Sequence, residues 1–532
     1  MKDLIKIASV VCAGVLLASC TSYLDINNNP NQAISSTPNL LTSSALAGTA
    51  STLEGFNSYG METAGYGANA GGYGGFNEFF TYQYTNNTAT GLWSSTYSNL
   101  ENYQLIINIA KKDPNKQYIN YEALAMIMQA YDFQLLVDAY NDIPYTNALK
   151  GLSNLTPTYD KGSDVYLALA NKLDSAIAKI NSVSSIVPAP VTVGPEDILF
   201  GGNMKSWKQL ANSIKLKLMV RAQGKVTFTN TTFDGAGFLT TDALINPGYR
   251  NDNGRQNPKW GSWAWDYAGN AINKAWMPST YVVGFYNGTK ISDPGRGTAT
   301  FYNFSAGVSK ISNQLGYENS NVTSCPEGTF WYSANADAAR KPAAAGNSWG
   351  TMKGPDAPYP LFTAAESYFL QAEGSLIGLS VGIADDVAFY SGIGASFKYI
   401  YSLPNTTQAI GSDYASDSTD YVDPAGNNGG NYLADYTAAG SQAEQLEAII
   451  TQKYIALNFI HSHEGWNEYR RTGYPVSSGS SATTSFASIK SQATRGDKLP
   501  TRLLYPVTEA RYNPENVPSG ISPLTSLIFW AK

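Results

Sequence analysis

The sequence runs to 532 residues, with 35 Lys and Arg against 41 Asp and Glu, a formal net charge of −6 and a pI near 5.2. Nucleic-acid binding needs clustered Lys and Arg to displace counterions from phosphates, and this balance argues against it. Charged residues are 14% of the chain, where about a quarter is usual, whereas 36 Tyr and a 12% aromatic share give a surface of hydrogen bonds and ring faces suited to a polar, weakly charged ligand.

At the N-terminus, Lys2 and Lys6 precede an apolar run from Ile7 to Leu17 and then Leu17-Ala18-Ser19-Cys20, the order of a signal peptide, predicted over residues 1–19. That run is too short to span a bilayer as a mature helix. A Cys directly after Leu-Ala-Ser predicts lipidation of Cys20, and acyl chains at about 0.8 kcal/mol per buried methylene would anchor the protein on a membrane. The plainer alternative is a simple signal peptide with Cys20 an ordinary thiol. Once Cys12 is removed and Cys20 lipidated, only Cys325 remains, so no intramolecular disulfide is expected and the fold rests on its core.

Helical periodicity begins with Glu101 to Lys111 and Tyr118 to Ala139, a hairpin split by Asp113-Pro114, in which Leu124, Ile127, Met128, Tyr131, Leu135 and Val137 share an apolar face. Ser163 is the expected N-cap of the next helix, with Val165, Leu169, Leu173, Ile177 and Ile180 on one stripe. Ser206 to Arg221 follows, with Trp207, Leu210, Ile214 and Leu218 in register, then Ala364 to Ile377, then Gln442 to Ile460. Between them lie stretches rich in Gly, Asn, Ser and Thr: Gly65 to Gly75, Gly248 to Asn273, Tyr401 to Gly440 and Val476 to Arg495. Loops this long are usually functional or disordered. Helix pairs hint at a solenoid, without a repeat at fixed period.

Several segments together resemble the SusD/RagB family of nutrient-binding outer-membrane lipoproteins. They are Tyr23-Leu24-Asp25-Ile26-Asn27-Asn28-Asn29-Pro30-Asn31; Gly201-Gly202-Asn203-Met204-Lys205-Ser206-Trp207 leading to Ala211-Asn212-Ser213-Ile214-Lys215; and Ala365-Glu366-Ser367-Tyr368-Phe369-Leu370-Gln371-Ala372-Glu373. Further on come Glu464-Gly465-Trp466-Asn467-Glu468-Tyr469-Arg470-Arg471 and Pro500-Thr501-Arg502-Leu503-Leu504-Tyr505-Pro506. Asp293-Pro294 is similar to the family's "DPR" turn, with Gly295 in place of the basic residue and Arg296 one later. The resemblance implies an all-α fold of tetratricopeptide-like helix pairs in a superhelical scaffold with long irregular loops, residues 20–532 forming one nutrient-binding domain. It also implies a SusC-type TonB-dependent transporter as partner, a lipid-anchored place on the outer membrane, and an oligosaccharide ligand, with peptide as the alternative because RagB-like relatives are associated with peptide uptake.

No enzyme, cofactor or metal is expected. Gly378-Leu379-Ser380-Val381-Gly382 matches a nucleophile elbow in letters, but a helix precedes it where a strand is required, so it reads as a helix-closing turn. His461-Ser462-His463-Glu464 cannot aim both imidazoles at one ion from a regular helix, and reads as solvated histidines at a helix end. Gly65 to Gly75 lacks a preceding strand and a phosphate-binding Lys, so it suits a binding loop carrying Tyr66, Tyr73 and Phe76. A lipid-anchored glycoside hydrolase would need two carboxylates at a set separation, and the sequence nominates no such pair. Glu366 and Glu373, two helical turns apart, are expected to pair with Arg470 or Arg471 as buried scaffold.

The ligand is expected on aromatic loops: chiefly Trp260, Trp263, Trp265, Tyr267 and Trp276, and second Tyr73 to Trp93, because no helical or strand pattern buries the first group. Sugars present apolar C–H faces beside hydroxyl rims, and ring faces flanked by Asp266, Asn270 and Asn273 match them. The structural alternative is that these tryptophans staple a long loop onto the helices.

Overall fold

Apolar stripes along the chain become helix pairs in the computed structural model, which describes residues 37–302, 304, 311–319, 330–331, 350–404 and 414–532. Cys20, Cys325 and the Tyr23 to Asn31 segment lie outside these residues. Helix α1 (Pro38–Thr63) starts with a proline in its first turn, where a missing N–H costs nothing. Helices α2 (Thr90–Lys112) and α3 (Ile119–Tyr140) form the expected hairpin. At its bend the Asp113 carboxylate accepts from the backbone N–H of Asn115 at 3.0 Å and of Gln117 at 2.6 Å. α2 begins at Thr90 rather than Glu101 because Leu92, Trp93 and Thr96 are also buried.

Helix α4 (Gly162–Ser182) buries the stripe read from the sequence, but Ser163 lies inside it and does not cap it. Asp142 does part of that work from the preceding loop, accepting from the Gly162 N–H at 2.9 Å. Helix α5 (Met204–Arg221) is capped by Asn203, and α6 (Ala364–Leu376) by Thr363. Beyond α6 the N–H of Gly378 bonds Ser375 O and that of Leu379 bonds Gly374 O, the paired pattern of a Schellman turn, with Gly378 at φ +83°. The turn reading of the Gly378 to Gly382 segment is what is observed.

Helices α7 (Asp385–Tyr401) and α8 (Tyr414–Val422) come next. The single helix expected over Gln442 to Ile460 is shorter: α9 (Gln442–Ala456) stops, the chain turns through Phe459 at φ +59°, and α10 (Ser462–Thr472) follows. Each helix packs on its neighbour from α1 through α7; α9 packs on α6 and α10, and α10 returns to α1. Gly60 permits that return, since a Cβ there would lie 2.0 Å from the backbone nitrogen of His463. The strands are short: β1 (Gly67–Asn69) pairs antiparallel with β3 (Trp276–Pro278), and β2 (Ala243–Ile245) with β4 (Tyr359–Phe362). The all-α architecture of helix pairs under long loops is therefore the observed one.

Charge is buried where these helices meet. Lys217 and Arg221 stand one turn apart on α5. Lys217 lies 2.5 Å from Glu366 and 3.2 Å from Glu464, while Arg221 bonds Asp138 at 2.5 Å, Glu468 at 3.2 Å and also Glu464. Lys453 reaches Glu468 at 2.9 Å, and Arg471 joins Glu373 and Glu468. Alternating signs offset the desolvation that any one of these ions would suffer alone. Glu373 pairs with Arg471 as expected, but Glu366 does not pair with either arginine. Lys217 takes it, and Arg470 instead donates to the carbonyls of Asp138 at 2.7 Å and Thr501 at 3.1 Å.

The expectation of solvated histidines is corrected, because the chain does not end a helix there but turns into α10 against α1. His461 and His463 are both buried. His461 Nε2 sits 2.9 Å from the Pro360 carbonyl oxygen, and burial pushes His463 down to about 3, so its ring is neutral.

Candidate ligand surface

The short β1·β3 pair sets Asn69 opposite Trp276 and so joins two stretches that are far apart in sequence. Asn69 then holds a third. Its side chain accepts from the Gly316 N–H at 2.8 Å and donates to the Tyr317 carbonyl at 3.0 Å, while Asn313 donates to the Asn69 carbonyl at 2.7 Å. A fourth segment locks on where the Ile489 N–H bonds Leu315 O and the Ser488 N–H bonds the Tyr82 hydroxyl. Gly316, at φ +88°, permits the approach: a Cβ there would lie 2.6 Å from Ser488 Oγ.

Aromatic rings collect on this joint. Phe76 stacks on Phe80 at 4.9 Å and meets Trp276 edge-on at 4.9 Å, and Phe79 meets Trp276 at 6.2 Å. Tyr73, half-buried, stands between exposed glycines, with open space around Gly74 and Gly75. Tyr317 is 47% exposed. Lys490 lies 5.2 Å from the Phe80 ring centroid and 2.7 Å from Glu318. That ion pair is solvent-exposed and adds little stability.

Of the residues nominated from sequence, Trp276 lies in this joint but is buried, its ring packed against Phe76 and Phe79 rather than open to a ligand, and Tyr73 is carried by the loop that follows β1. Tyr267 is 51% exposed at the tip of a hairpin closed by the Trp265–Ala271 bridge. Asp266 is engaged in that turn rather than held open: it accepts from Asn270 Nδ2 at 2.8 Å and from the N–H groups of Ala268 and Asn270, and these bonds lower its pKa. Asn273 accepts from the Trp276 N–H at 3.3 Å.

Trp260, Trp263 and Trp265 do not present open ring faces. Asn257 caps a short helix, Pro258–Trp263, and that turn drives the indoles inward. Trp260 packs on Trp265 at 5.1 Å. Trp263, 3% exposed, lies 4.9 Å from Phe459 and donates from Nε1 to Ser58 Oγ of α1 at 3.2 Å. Beside it the buried Lys259 reaches Glu54 at 2.9 Å. Trp93 is buried among Tyr97, Tyr140, Tyr159 and Tyr505 on the inner face of α2. Tyr66 and Phe76 are buried as well, Tyr66 stacked on Tyr454 at 4.1 Å.

Tyr317 and Lys490 were missed in the sequence, since only long-range bonds, those of Asn69 and Asn313 and that of Ile489 to Leu315, bring their segments to Trp276. The surface offers ring edges and amides. Among the described residues no cluster of three or more His, Cys, Asp or Glu is arranged to hold a metal ion, and no helix is long and apolar enough to cross a membrane.

The sequence over residues 30–506 matches the SusD-like family model described as starch-binding associating with outer membrane. No curated protein sequence matches the chain. Solved structures similar to it include a SusD homologue from Bacteroides fragilis, with 20% identity and TM-score 0.62 over 94% of this chain and 100% of that one. Another, from Bacteroides uniformis, has 21% identity and TM-score 0.65 over 92% and 99%. A chitin-binding SusD homologue from Flavobacterium johnsoniae has 20% identity and TM-score 0.61 over 91% and 98%. At these identities the likeness carries the fold.

Proposed function

We propose, since the chain belongs to the SusD-like family of starch-binding proteins associated with the outer membrane, that it captures oligosaccharides at the cell surface and delivers them to a SusC-type TonB-dependent transporter without transforming them. Residues 1–19 are the signal peptide, Cys20 carries the lipid anchor, and residues 20–532 form the one binding domain. The observation that carries the ligand class is the β1·β3 joint, which joins the loop of the half-buried Tyr73 to the segments of Trp276, itself buried, and of the exposed Tyr317. Ring faces and edges match the C–H faces of pyranoses, and neighbouring amides match their hydroxyl rims. The three buried tryptophans of the Trp260 to Trp265 stretch serve instead as staples that hold their loop on the core.

The test is a panel of immobilised neutral glycans and peptides probed with the soluble protein from residue 21 onward. Retention on oligosaccharides alone is expected. Retention on peptides alone assigns the peptide alternative, and release of reducing ends from a bound glycan assigns a hydrolase. For the anchor, Cys20→Ser is expected to abolish palmitate labelling and membrane association, and unchanged labelling would remove Cys20 from the proposal. For the partner, purification from mildly solubilised outer membrane is expected to recover a large barrel protein; a lone monomer would contradict it.

A further inference from the structure

A second opening lies on different elements, between α2, α3, α4 and the loop that follows α3. It is a groove of about 680 Å³. In a chain whose net charge is −6, its lining includes Lys150 and Lys172 and no carboxylate. Lys172, on α4, leans over the rings of Tyr145 and Phe133, at 5.1 and 5.6 Å from their centroids, and its ammonium donates to Gln129 Oε1 at 2.9 Å. The partner of this cation is thus an amide. Burial, with Lys111 nearby, pushes the ammonium down to about 8, the mark of a charge that has lost water without gaining a counter-ion.

The amides beside it have a fixed direction. An ammonium only donates, so Gln129 must turn its oxygen toward Lys172 and its nitrogen away. That nitrogen donates to Gln104 Oε1 at 3.0 Å, and the Gln104 nitrogen donates to Asn108 Oδ1 at 2.8 Å. The chain runs from the part-buried lysine to an exposed amide on α2, with a side branch from Gln129 Nε2 to the Leu100 carbonyl at 3.4 Å. Lys150, exposed on the facing loop, is held by Asn147 Oδ1 at 2.7 Å.

We propose that this groove is a second binding site, specific for an acidic sugar, whose carboxylate sits on Lys172 and Lys150 while its hydroxyls meet the Gln129–Gln104–Asn108 amide chain. Its volume falls in the range of small-ligand sites, about 300–1,000 Å³, rather than that of a protein interface. The Asn108 amide nitrogen can donate, and the hydroxyls of Thr146 and Ser153, whose own protons go to Asp160 Oδ1 and to the Lys150 carbonyl, can accept, so a sugar hydroxyl meets both a donor and acceptors. The site shares no residue with the Tyr73–Trp276 surface, so it stands or falls separately from the function proposed there.

The test is calorimetric titration of the full soluble chain with tetragalacturonate, its carboxyl-reduced neutral counterpart and tetraglutamate. Tetragalacturonate is expected to bind at least about tenfold more tightly than the reduced sugar, the scale of one charge-assisted hydrogen bond. Lys172→Met is expected to remove that preference. Lys150→Gln, at an exposed position that cannot disturb folding, should weaken binding about threefold, as befits a rim charge. Equal binding of the acidic and reduced sugars overturns the proposal, as does no binding of either. Equal affinity for tetraglutamate also overturns it, by showing a carboxylate site without sugar recognition. If Lys172→Met fails to fold, unchanged affinity in Lys150→Gln is the contradicting result.

Discussion

Arg471 on α10 grips Glu373 on α6 with both terminal nitrogens, at 2.6 and 2.8 Å, and both side chains are nearly closed to water. The same guanidinium also bonds Glu468, whose carboxylate is held well below its usual pKa: burial opposes ionisation, but Arg471, Lys453 and Arg221 outweigh it. Arg471→Met would strand the buried Glu373 and leave Glu468 to Lys453 and Arg221. The expected cost is about 3–5 kcal/mol, the scale for breaking a buried pair from one side. Adding Glu373→Leu should recover part of it. Urea unfolding of the single and double variants checks this, and a loss below about 1 kcal/mol in Arg471→Met would contradict it.

Asp132 on α3 is buried without a cation. It accepts from Asn99 Nδ2 at 3.0 Å, while burial pushes its carboxyl up to about 7 against that bond and the weaker one from Thr49. An unfolded Asp titrates near 3.9. Between these values the folded protein keeps a proton that the unfolded chain releases, so stability falls as pH rises from about 4 to about 7. Asp132→Asn is expected to exceed the parent by about 1–3 kcal/mol at pH 8, with the gap closing toward pH 4. Parallel stability–pH curves for the two proteins would refute the assignment.

Local periodicity located the helices whose stripes repeat cleanly, and the two-turn spacing of Glu366 and Glu373 put both on one buried face, although only Glu373 meets Arg471. It failed where tertiary contact decides. α9 ends early because Phe459 turns the chain into α10, a feature with no glycine to announce it. His461 and His463 read as surface residues until Gly60 lets α10 press onto α1. Richness in Gly and Asn marked where the long loops lie but not the direction of their rings. Trp263 and Tyr267 are four residues apart and face opposite ways, because a six-residue helix precedes one and a hairpin turn carries the other.

That contrast is measurable. Trp263→Ala removes a buried indole packed on Phe459 and tied to Ser58, and is expected to cost about 3–5 kcal/mol. Tyr267→Ala, at an exposed tip, should stay within about 0.5 kcal/mol of the parent. Thermal unfolding of the two variants distinguishes them, and a Trp263→Ala protein as stable as the parent would return that ring to the list of ligand contacts.

For the glycan that the panel identifies, Tyr73→Ala and Tyr317→Ala, singly and together, are to be titrated by calorimetry beside melting curves. Each ring is expected to contribute about 1–3 kcal/mol of binding, the scale of one lost aromatic contact, while the melting temperature stays within about 2 °C of the parent. A folded double variant that still binds the oligosaccharide with parental affinity would contradict the placement of the ligand on the loops joined by Asn69.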